Sequence, residues 1–312
     1  MTHRTTAATA LVASMTIAAP LFAGTAHVTE TTYNTTDVDG VSIFYREAGP
    51  KDAPTVLLLH GFPSSSHMFR DLIPELAKSY HVVAPDYPGY GQSAAPAADA
   101  YDYDFATLAT TMEHFTEQLG LDEYTLYMQD FGGPVGLRMI QNHPERLEGL
   151  IIQNATFHVE GWNPDVVKQF APFWGDRNAE TEAPLRQFLA PQTTEWQYRQ
   201  GSTLADRLSP DAWIHDQAGL DRPGNTEVQL EYLWNYQDNV ANYESWQNKL
   251  GELQPDTLIV WGENDPFFTI QGVEAVQKLL PNAETHLYDA GHFALETHAD
   301  EISTEILEFL AR

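Results

Sequence analysis

The sequence predicts an α/β protein with a mostly parallel, eight-stranded sheet, helices on both faces and an inserted helical cap. Short apolar runs alternate along the chain with segments of helical periodicity, as expected when helices connect parallel strands. Residues 157–248 interrupt this alternation; they are rich in Trp, Tyr, Gln, Asn and Pro and are too long for a loop. We therefore expect a core made of residues 27–156 and 249–312, with the cap between its two parts.

The predicted strands follow from their patterns of apolar residues. Residues 41–45 alternate between apolar and polar side chains, which predicts an early antiparallel strand. Residues 55–59 form a continuous apolar run, which is typical of a strand buried on both faces. Further strands are predicted at residues 81–84, 124–128, 149–152, 257–261 and 285–288.

Helices are predicted where apolar residues recur at helical spacing. Within residues 102–119, Leu108 and Met112 fall on the same side as further apolar residues. A helix over residues 134–142 begins with proline, which suits a first helical turn. Further helices are predicted at residues 226–239, near 270–280 and at 299–311.

The composition excludes several classes of function. The chain has 312 residues, of which 44 are acidic and 16 basic, giving a formal charge of −28. A nucleic-acid partner is therefore not expected, because the phosphate backbone carries the same sign of charge. The chain has no Cys, and its His residues show no ligand spacing, so we expect no metal and no other cofactor. The acidic surface fits either adaptation to high salt or an ordinary acidic protein, and either a monomer or a dimer.

The first 26 residues resemble an export signal. Arg4 precedes an Ala-rich apolar run over residues 7–23, and small residues follow at 24–26. This pattern predicts cleavage after Ala26 and an exported protein, periplasmic or secreted, that no longer contacts the membrane. A membrane anchor is the alternative, but the run is short for a span and is diluted by Thr and Ser.

Three polar residues lie where predicted strands end, the edge at which parallel sheets bind ligands. Asp130 follows one strand at a sharp turn with Gly132 and Gly133, and a helix begins there. A helix N-terminus favours negative charge, so we predict that Asp130 is a nucleophile. The alternative is that Asp130 only caps the helix.

The other two polar residues complete a chemical group with Asp130. His292 follows the last predicted strand and is expected to be a general base. Asp265 follows the preceding strand and is expected to hold the imidazole in one tautomer, with Glu263 as the competing acid. Ser93 also lies in a Gly-flanked sequence, but that sequence follows a turn-rich loop and does not follow a strand, so we reject it as a nucleophile.

Residues from about 30 to 312 resemble the α/β-hydrolase superfamily, and in particular its aspartate-nucleophile branch of epoxide hydrolases and haloalkane dehalogenases. The chain order of nucleophile, acid and His matches that superfamily. The sequence His-Gly-Phe-Pro at residues 60–63 is similar to a superfamily motif. The resemblance implies that the backbone N–H groups of Phe62 and Phe131 form an oxyanion hole.

The resemblance leaves two activities open. Gln129 before Asp130 is similar to dehalogenases, but Phe131 stands where many dehalogenases have a Trp that donates to halide. Residues 234–237, Trp-Asn-Tyr-Gln, resemble the epoxide-hydrolase segment that carries a ring-opening tyrosine, which implies this role for Tyr236.

Three further residues are candidates for contacts with the leaving group or substrate. Tyr198 is the candidate for a second ring-opening tyrosine, with cap packing as the alternative. Trp174 in the cap is a candidate halide donor. Asn154, at the end of its strand, is a candidate for a second halide donor or for positioning water.

We therefore predict a hydrolase that forms an alkyl–enzyme ester on Asp130 and acts on a small apolar organic substrate, an epoxide rather than a haloalkane. A non-catalytic binder on the same fold is the alternative from another class. An ordinary ester hydrolase is disfavoured, because a carboxylate attacking an ester carbonyl would give a mixed anhydride.

Overall fold

The structure is a computed structural model that describes residues 1–2 and 30–312. Apart from its first two residues, the predicted export signal therefore lies outside the described residues. No helix in the described part of the chain is long and apolar enough to cross a bilayer.

One mixed sheet forms the centre of the described chain, and its eight strands confirm the predicted fold class. The strands are β1 (Thr32–Val38), β2 (Val41–Ala48), β3 (Thr55–Leu59), β4 (His81–Pro85), β5 (Tyr124–Gln129), β6 (Leu147–Gln153), β7 (Thr257–Gly262) and β8 (Glu284–Tyr288). Their spatial order is β1-β2-β4-β3-β5-β6-β7-β8. β2 runs antiparallel to β1 and β4, and the remaining neighbours are parallel.

The first strand, β1, is an element that the sequence analysis does not place. Its residues are mostly polar and mostly exposed, because it is an edge strand far from the core. It pairs along its whole length with β2, from Thr32 opposite Glu47 to Val38 opposite Val41. Backbone hydrogen bonds to β2 therefore hold it in place without the apolar pattern on which strand prediction relies.

The described chain has ten α-helices, and five of them correspond to helices predicted with bounds. Four of these five differ from the prediction by a few residues, whereas the helix predicted at 226–239 continues to Leu253. The ten helices are α1 (Leu72–Leu76), α2 (Phe105–Leu119), α3 (Gly132–Asn142), α4 (Pro164–Gly175), α5 (Ala179–Phe188), α6 (Pro191–Arg199), α7 (Pro210–Leu220), α8 (Asn225–Leu253), α9 (Ile270–Leu279) and α10 (Leu295–Leu310). The last helix begins four residues before the predicted start at 299 and contains a break at His298, where φ is −128°.

Along the chain, helices α4 to α8 follow β6 and precede β7, so they fall in the segment predicted as the cap. α8 continues to Leu253, so the predicted boundary at 248/249 falls inside a helix. The physical reason is packing: Trp246 and Leu250 near its C-terminal end are buried, and the Arg138 guanidinium of α3 lies 4.9 Å from the Trp246 ring. One continuous helix therefore joins the cap to the core.

The turn from β5 into α3 is tightly packed against β3. Asp130 has a left-handed backbone conformation with φ +49°, which lets the chain reverse direction within one residue. A Cβ on Gly132 would come within 2.4 Å of the Leu59 carbonyl oxygen, so only glycine fits there. Gly132 is thus required by the close approach of two backbones, whereas a Cβ on Gly133 would meet only the Ala155 side chain, at 3.2 Å.

We predict that Gly132→Ala destabilises the protein by about 1–3 kcal/mol, because the added methyl group meets a strand backbone that cannot move freely. The control is Gly175→Ala at the end of α4, where an added Cβ meets no atom within 4 Å. Urea denaturation of both variants measures the effect. Equal midpoints for Gly132→Ala and the unmodified protein would show that the turn can accommodate a Cβ at position 132.

Candidate active site

The structure brings Asp130, Asp265 and His292 together at the carboxyl ends of β5, β7 and β8. His292 Nδ1 lies 2.8 Å from Asp265 Oδ2, and His292 Nε2 lies 3.9 Å from Asp130 Oδ2. All three side chains are buried. The imidazole is therefore fixed between two carboxylates, one in hydrogen-bonding contact and one slightly farther away.

The Asp130 carboxylate is held by the loop after β3, and the N-cap position of α3 is occupied by Phe131 and not by Asp130. The Phe62 backbone N–H donates to Asp130 Oδ1 at 2.7 Å. A Cβ on Gly61 would lie 2.3 Å from the Asp130 Cβ, so a side chain at position 61 would displace the carboxylate. Capping therefore does not account for Asp130.

Asn154 does not face the pocket, in contrast to the predicted role in halide or water binding. Its Nδ2 donates to Asp265 Oδ2 at 2.8 Å and to the Gly262 carbonyl oxygen at 3.2 Å, and its Oδ1 accepts from the Gly262 N–H at 2.9 Å. Asp265 Oδ1 accepts from the Phe267 N–H at 2.7 Å. Asn154 therefore joins β6 to β7 and orients the acid that orients His292.

The environment of Asp130 disfavours its ionised form. Burial raises the pKa of the Asp130 carboxyl from 3.8 to about 6, because desolvation penalises the charge. The charge of His292 and the backbone N–H groups of Phe62 and Phe131 act in the opposite direction, and Asp265 adds to the rise. The carboxylate is thus ionised at neutral pH but weakly solvated.

The two carboxylates next to His292 raise the pKa of its imidazole by more than burial lowers it. Burial lowers the pKa of the imidazole, but the charge and hydrogen bond of Asp265 and the charge of Asp130 outweigh it. The pKa of His292 is therefore raised above 6.5. A proton taken up at Nε2 would be stabilised by the Asp265 carboxylate on the other side of the ring.

Gln129 also belongs to the site. It contacts His292, which the sequence does not predict. Its Nε2 lies 2.9 Å from His292 Nε2, and its Oε1 is buried with no hydrogen-bond partner in the described structure. The amide nitrogen donates to a neutral imidazole, and a half-turn of the amide would present the oxygen to a protonated one. The position directly before the nucleophile is the only sequence signal that could have found it.

The site opens into a small and almost entirely apolar cavity of about 40 Å³. Helices α4, α5, α6 and α8 cover it, and the loops after β3, β5, β7 and β8 form its floor. It is lined by Phe62, Asp130, Phe131, Trp162, Val166, Phe170, Trp174, Phe188, Gln197, Leu233, Tyr236, Phe267, Phe268 and His292. Such a lining selects apolar ligands and excludes bulk water from the carboxylate.

Tyr236 and Tyr198, the two predicted ring-opening tyrosines, have different surroundings. Tyr236 lines the cavity, and its buried hydroxyl makes no hydrogen bond of regular geometry in the described structure, although the neighbouring Tyr243 hydroxyl contributes to raising its pKa. Tyr198 does not line the cavity, because its ring stacks on Phe293 at 4.0 Å and its hydroxyl donates to Asp216. The predicted role of Tyr198 is therefore wrong, and the alternative of cap packing applies.

Trp174 lines the cavity, but its N–H does not serve as the predicted halide donor. The indole Nε1 donates to the Leu233 carbonyl oxygen at 2.8 Å. The second cavity indole, Trp162, donates to the Tyr243 hydroxyl at 3.0 Å. Both indole donors of the cavity are thus engaged within the protein.

The two competing residues from the sequence lie outside the site. Ser93 is buried, donates to the Asp86 carbonyl oxygen at 2.6 Å and accepts from the Phe44 N–H at 2.9 Å, which are structural contacts. Glu263 is exposed. Neither residue can therefore replace a member of the group around His292.

Among the described residues, one cluster has donor atoms close enough to hold a metal ion. Glu284, His286 and Glu305 place one donor atom each within 4.8 Å of the others, next to β8. His286 Nε2 lies 2.7 Å from Glu284, and Arg312 pairs with Glu284 as well. The carboxylates are therefore already paired, and the cluster is remote from the cavity.

The fold and this arrangement place the chain in a known class of protein. Residues 54–299 match the sequence pattern of the alpha/beta hydrolase fold, and the chain belongs to this family of hydrolases. An uncharacterized hydrolase of Saccharomyces cerevisiae is 36% identical over 278 residues, covering 88% of this chain and 94% of its own.

Two further similarities fall within the same superfamily. A haloalkane dehalogenase of Psychrobacter cryohalolentis is 28% identical over 288 residues, covering 86% of this chain and 87% of its own. The solved structure of the epoxide hydrolase CorEH superposes with a TM-score of 0.72 at 22% identity, covering 90% of this chain and 99% of that one. The sequence thus relates the chain to haloalkane dehalogenases, and the fold is shared with an epoxide hydrolase.

We predict that Asp130→Asn stabilises the folded protein at pH 8 but not at pH 4. A carboxyl pKa raised to about 6 by folding costs the ionised protein up to about 3 kcal/mol, and this cost develops between about pH 4 and pH 6. Below that range the Asp130 carboxyl is protonated and as neutral as the asparagine of the variant, so the two proteins should no longer differ in stability. Urea denaturation at the two pH values measures it.

Asp52→Asn, at an exposed position, is the control and should change stability little at either pH. An Asp130→Asn variant that is less stable than the unmodified protein at pH 8 would mean that the carboxylate is held favourably. The account of its burial would then be incorrect.

Proposed function

We propose that the chain is an epoxide hydrolase that uses Asp130 as the nucleophile and forms an alkyl–enzyme ester. The observation that carries this proposal is the Tyr236 hydroxyl, which is buried at the wall of the cavity that contains Asp130 and makes no hydrogen bond of regular geometry among the described residues. An epoxide oxygen that enters the cavity supplies the missing partner. The family membership supports hydrolysis as the reaction class.

In the first step, an oxygen of Asp130 attacks a ring carbon of the epoxide. Oδ1 is held by the Phe62 N–H, so Oδ2 is the less engaged oxygen. As the new carbon–oxygen bond forms, the ring carbon–oxygen bond breaks and its electron pair stays on the leaving oxygen. That oxygen takes the proton of the Tyr236 hydroxyl, whose pKa is raised well above 10 mainly by burial, so that the proton is present at neutral pH.

In the second step, His292 takes a proton from water, and the resulting hydroxide attacks the carbonyl carbon of the ester. The N–H groups of Phe62 and Phe131 are placed to stabilise the oxyanion that forms. The bond between that carbon and the alkyl oxygen then breaks, the alkyl oxygen takes the proton held by His292, and the diol leaves. Asp130 is released as the carboxylic acid; it loses one proton and Tyr236 regains one, which restores the starting state. Because the ester of Asp130 carries no charge, one cause of the raised pKa of His292 is absent at this stage, which favours the neutral base.

The hydrogen bonds of the indoles favour an epoxide over a haloalkane. Halide release needs N–H donors at the leaving atom, and those of Trp162 and Trp174 are bonded to other groups. Haloalkane dehalogenation remains the second candidate, because a relative with that name is similar over most of the chain. It would require one indole to exchange its present partner for the halide.

We predict that Tyr236→Phe slows the formation of diol from a terminal epoxide by roughly 10²-fold or more, because the leaving oxygen loses its proton donor. The control is Tyr288→Phe, which removes another unpartnered buried hydroxyl at a distance from the cavity. The measurement is a panel of terminal epoxides and haloalkanes, scored for diol and for halide.

Asp130→Asn should abolish both products in the same panel. Halide release without any diol would transfer the assignment to dehalogenation. An unchanged rate of diol formation in Tyr236→Phe would remove Tyr236 from the mechanism, and unchanged activity in Asp130→Asn would contradict the nucleophile itself.

A further inference from the structure

Gln197 is a second residue of the same cavity wall that has an unpartnered donor in the described structure. It lies on α6, its side chain is part of the cavity wall, and the residue is 1% exposed. Its Nε2 is buried and has no hydrogen-bond partner in the described structure. Leaving such a group unpaired is unfavourable, so a buried free amide in a cavity wall is a candidate contact for a ligand.

The position of Gln197 is fixed by contacts on either side of it. Thr194 Oγ1 donates to Gln217 Oε1 at 2.6 Å, and the Tyr198 ring stacks on Phe293. These contacts anchor α6 to α7 and to the core. The Gln197 amide is therefore held at the cavity by its helix.

The cap contributes few polar groups to the cavity. Of its lining residues, Trp162 and Trp174 have their N–H groups bonded, and four others are aliphatic or phenyl side chains. The remaining two are Tyr236 and Gln197, and each has an unpartnered polar atom. A substrate whose only polar atom is one oxygen would satisfy both.

We propose that Gln197 is the second hydrogen-bond donor to the leaving oxygen of the epoxide. This inference rests on the proposed function and adds a residue to it. As Asp130 attacks, negative charge develops on the leaving oxygen; Tyr236 transfers its proton to that oxygen, whereas the neutral amide of Gln197 donates a hydrogen bond and keeps its protons. The substrate class is thus an apolar epoxide without a further polar group in the part that enters the cavity.

The test measures formation of the alkyl–enzyme ester in a His292→Gln background, in which hydrolysis is blocked and the ester accumulates. The probe is 1,2-epoxyhexane, whose only heteroatom is the epoxide oxygen. Rapid quenching followed by intact-protein mass spectrometry gives the first-order rate. Adding Gln197→Met should slow ester formation roughly 10- to 100-fold, with a smaller change in the half-saturating epoxide concentration, because the charge develops only in the transition state.

The matched control is Gln192→Met, an exposed glutamine on the same helix, which should leave the rate unchanged. Gln197→Glu, a second variant of nearly the same shape, should form the ester slowly at high pH, where its carboxylate is ionised and cannot donate. Its rate relative to the parent at the same pH should rise as the pH falls and the side chain becomes protonated. If the methionine variant does not fold, the glutamate variant carries the test.

The two possible failures are distinguishable. Equal rates of ester formation with and without Gln197→Met would overturn the role of Gln197 while leaving Asp130 as the nucleophile. If the His292→Gln protein forms no ester with any epoxide, the proposed function fails, and the role of Gln197 fails with it.

Discussion

The site depends on the close approach of two segments of the chain. One is the turn after β5, and the other is the end of β3 with the loop that follows it. Gly132 and Gly61 occupy positions where a Cβ would meet the Leu59 carbonyl oxygen at 2.4 Å and the Asp130 side chain at 2.3 Å. Asp130 itself adopts a φ of +49°. Because the turn is held so tightly, its carboxylate lies under the N–H of the neighbouring loop and 3.9 Å from His292. Stored backbone strain of this kind is typical of functional sites.

Burial of the site has two effects: it destabilises the ionised Asp130 carboxylate, and it strengthens hydrogen bonds inside the cavity. The aromatic cap removes water from Asp130, which disfavours its charge and raises its pKa to about 6. In the proposed function, the same removal of water strengthens the hydrogen bonds that the two polar cap side chains, Tyr236 and Gln197, would donate to a substrate oxygen. Asn154 and Asp265 maintain the imidazole orientation from the opposite side. Burial of the ionised Asp130 carboxylate thus lowers the free energy of unfolding. In the proposed function, the same burial exposes a weakly solvated carboxylate oxygen to a neutral, apolar substrate.

The sequence predicts the sheet well, since apolar runs and a Gly-flanked turn are local signals. It does not place β1, whose polar residues are held by pairing with β2. The cap is predicted less well, because side-chain direction depends on how each helix is rotated. Tyr198 and Gln197 are adjacent on α6, yet successive residues differ by about 100° around a helix, so one packs on the core and the other faces the cavity. Asn154 and Trp174 likewise have partners that only the folded structure reveals.

The central claim is that the Asp130 carboxylate becomes esterified by its substrate. One turnover in ¹⁸O-labelled water, with enzyme in excess over an epoxide, tests it most directly. The account predicts that the diol carries no label, because its new oxygen comes from the protein. The peptide containing Asp130 should gain one ¹⁸O atom, as digestion and mass spectrometry would show. Label in the diol of the first turnover, with none in the peptide, would mean that water attacks the substrate directly and would contradict the account.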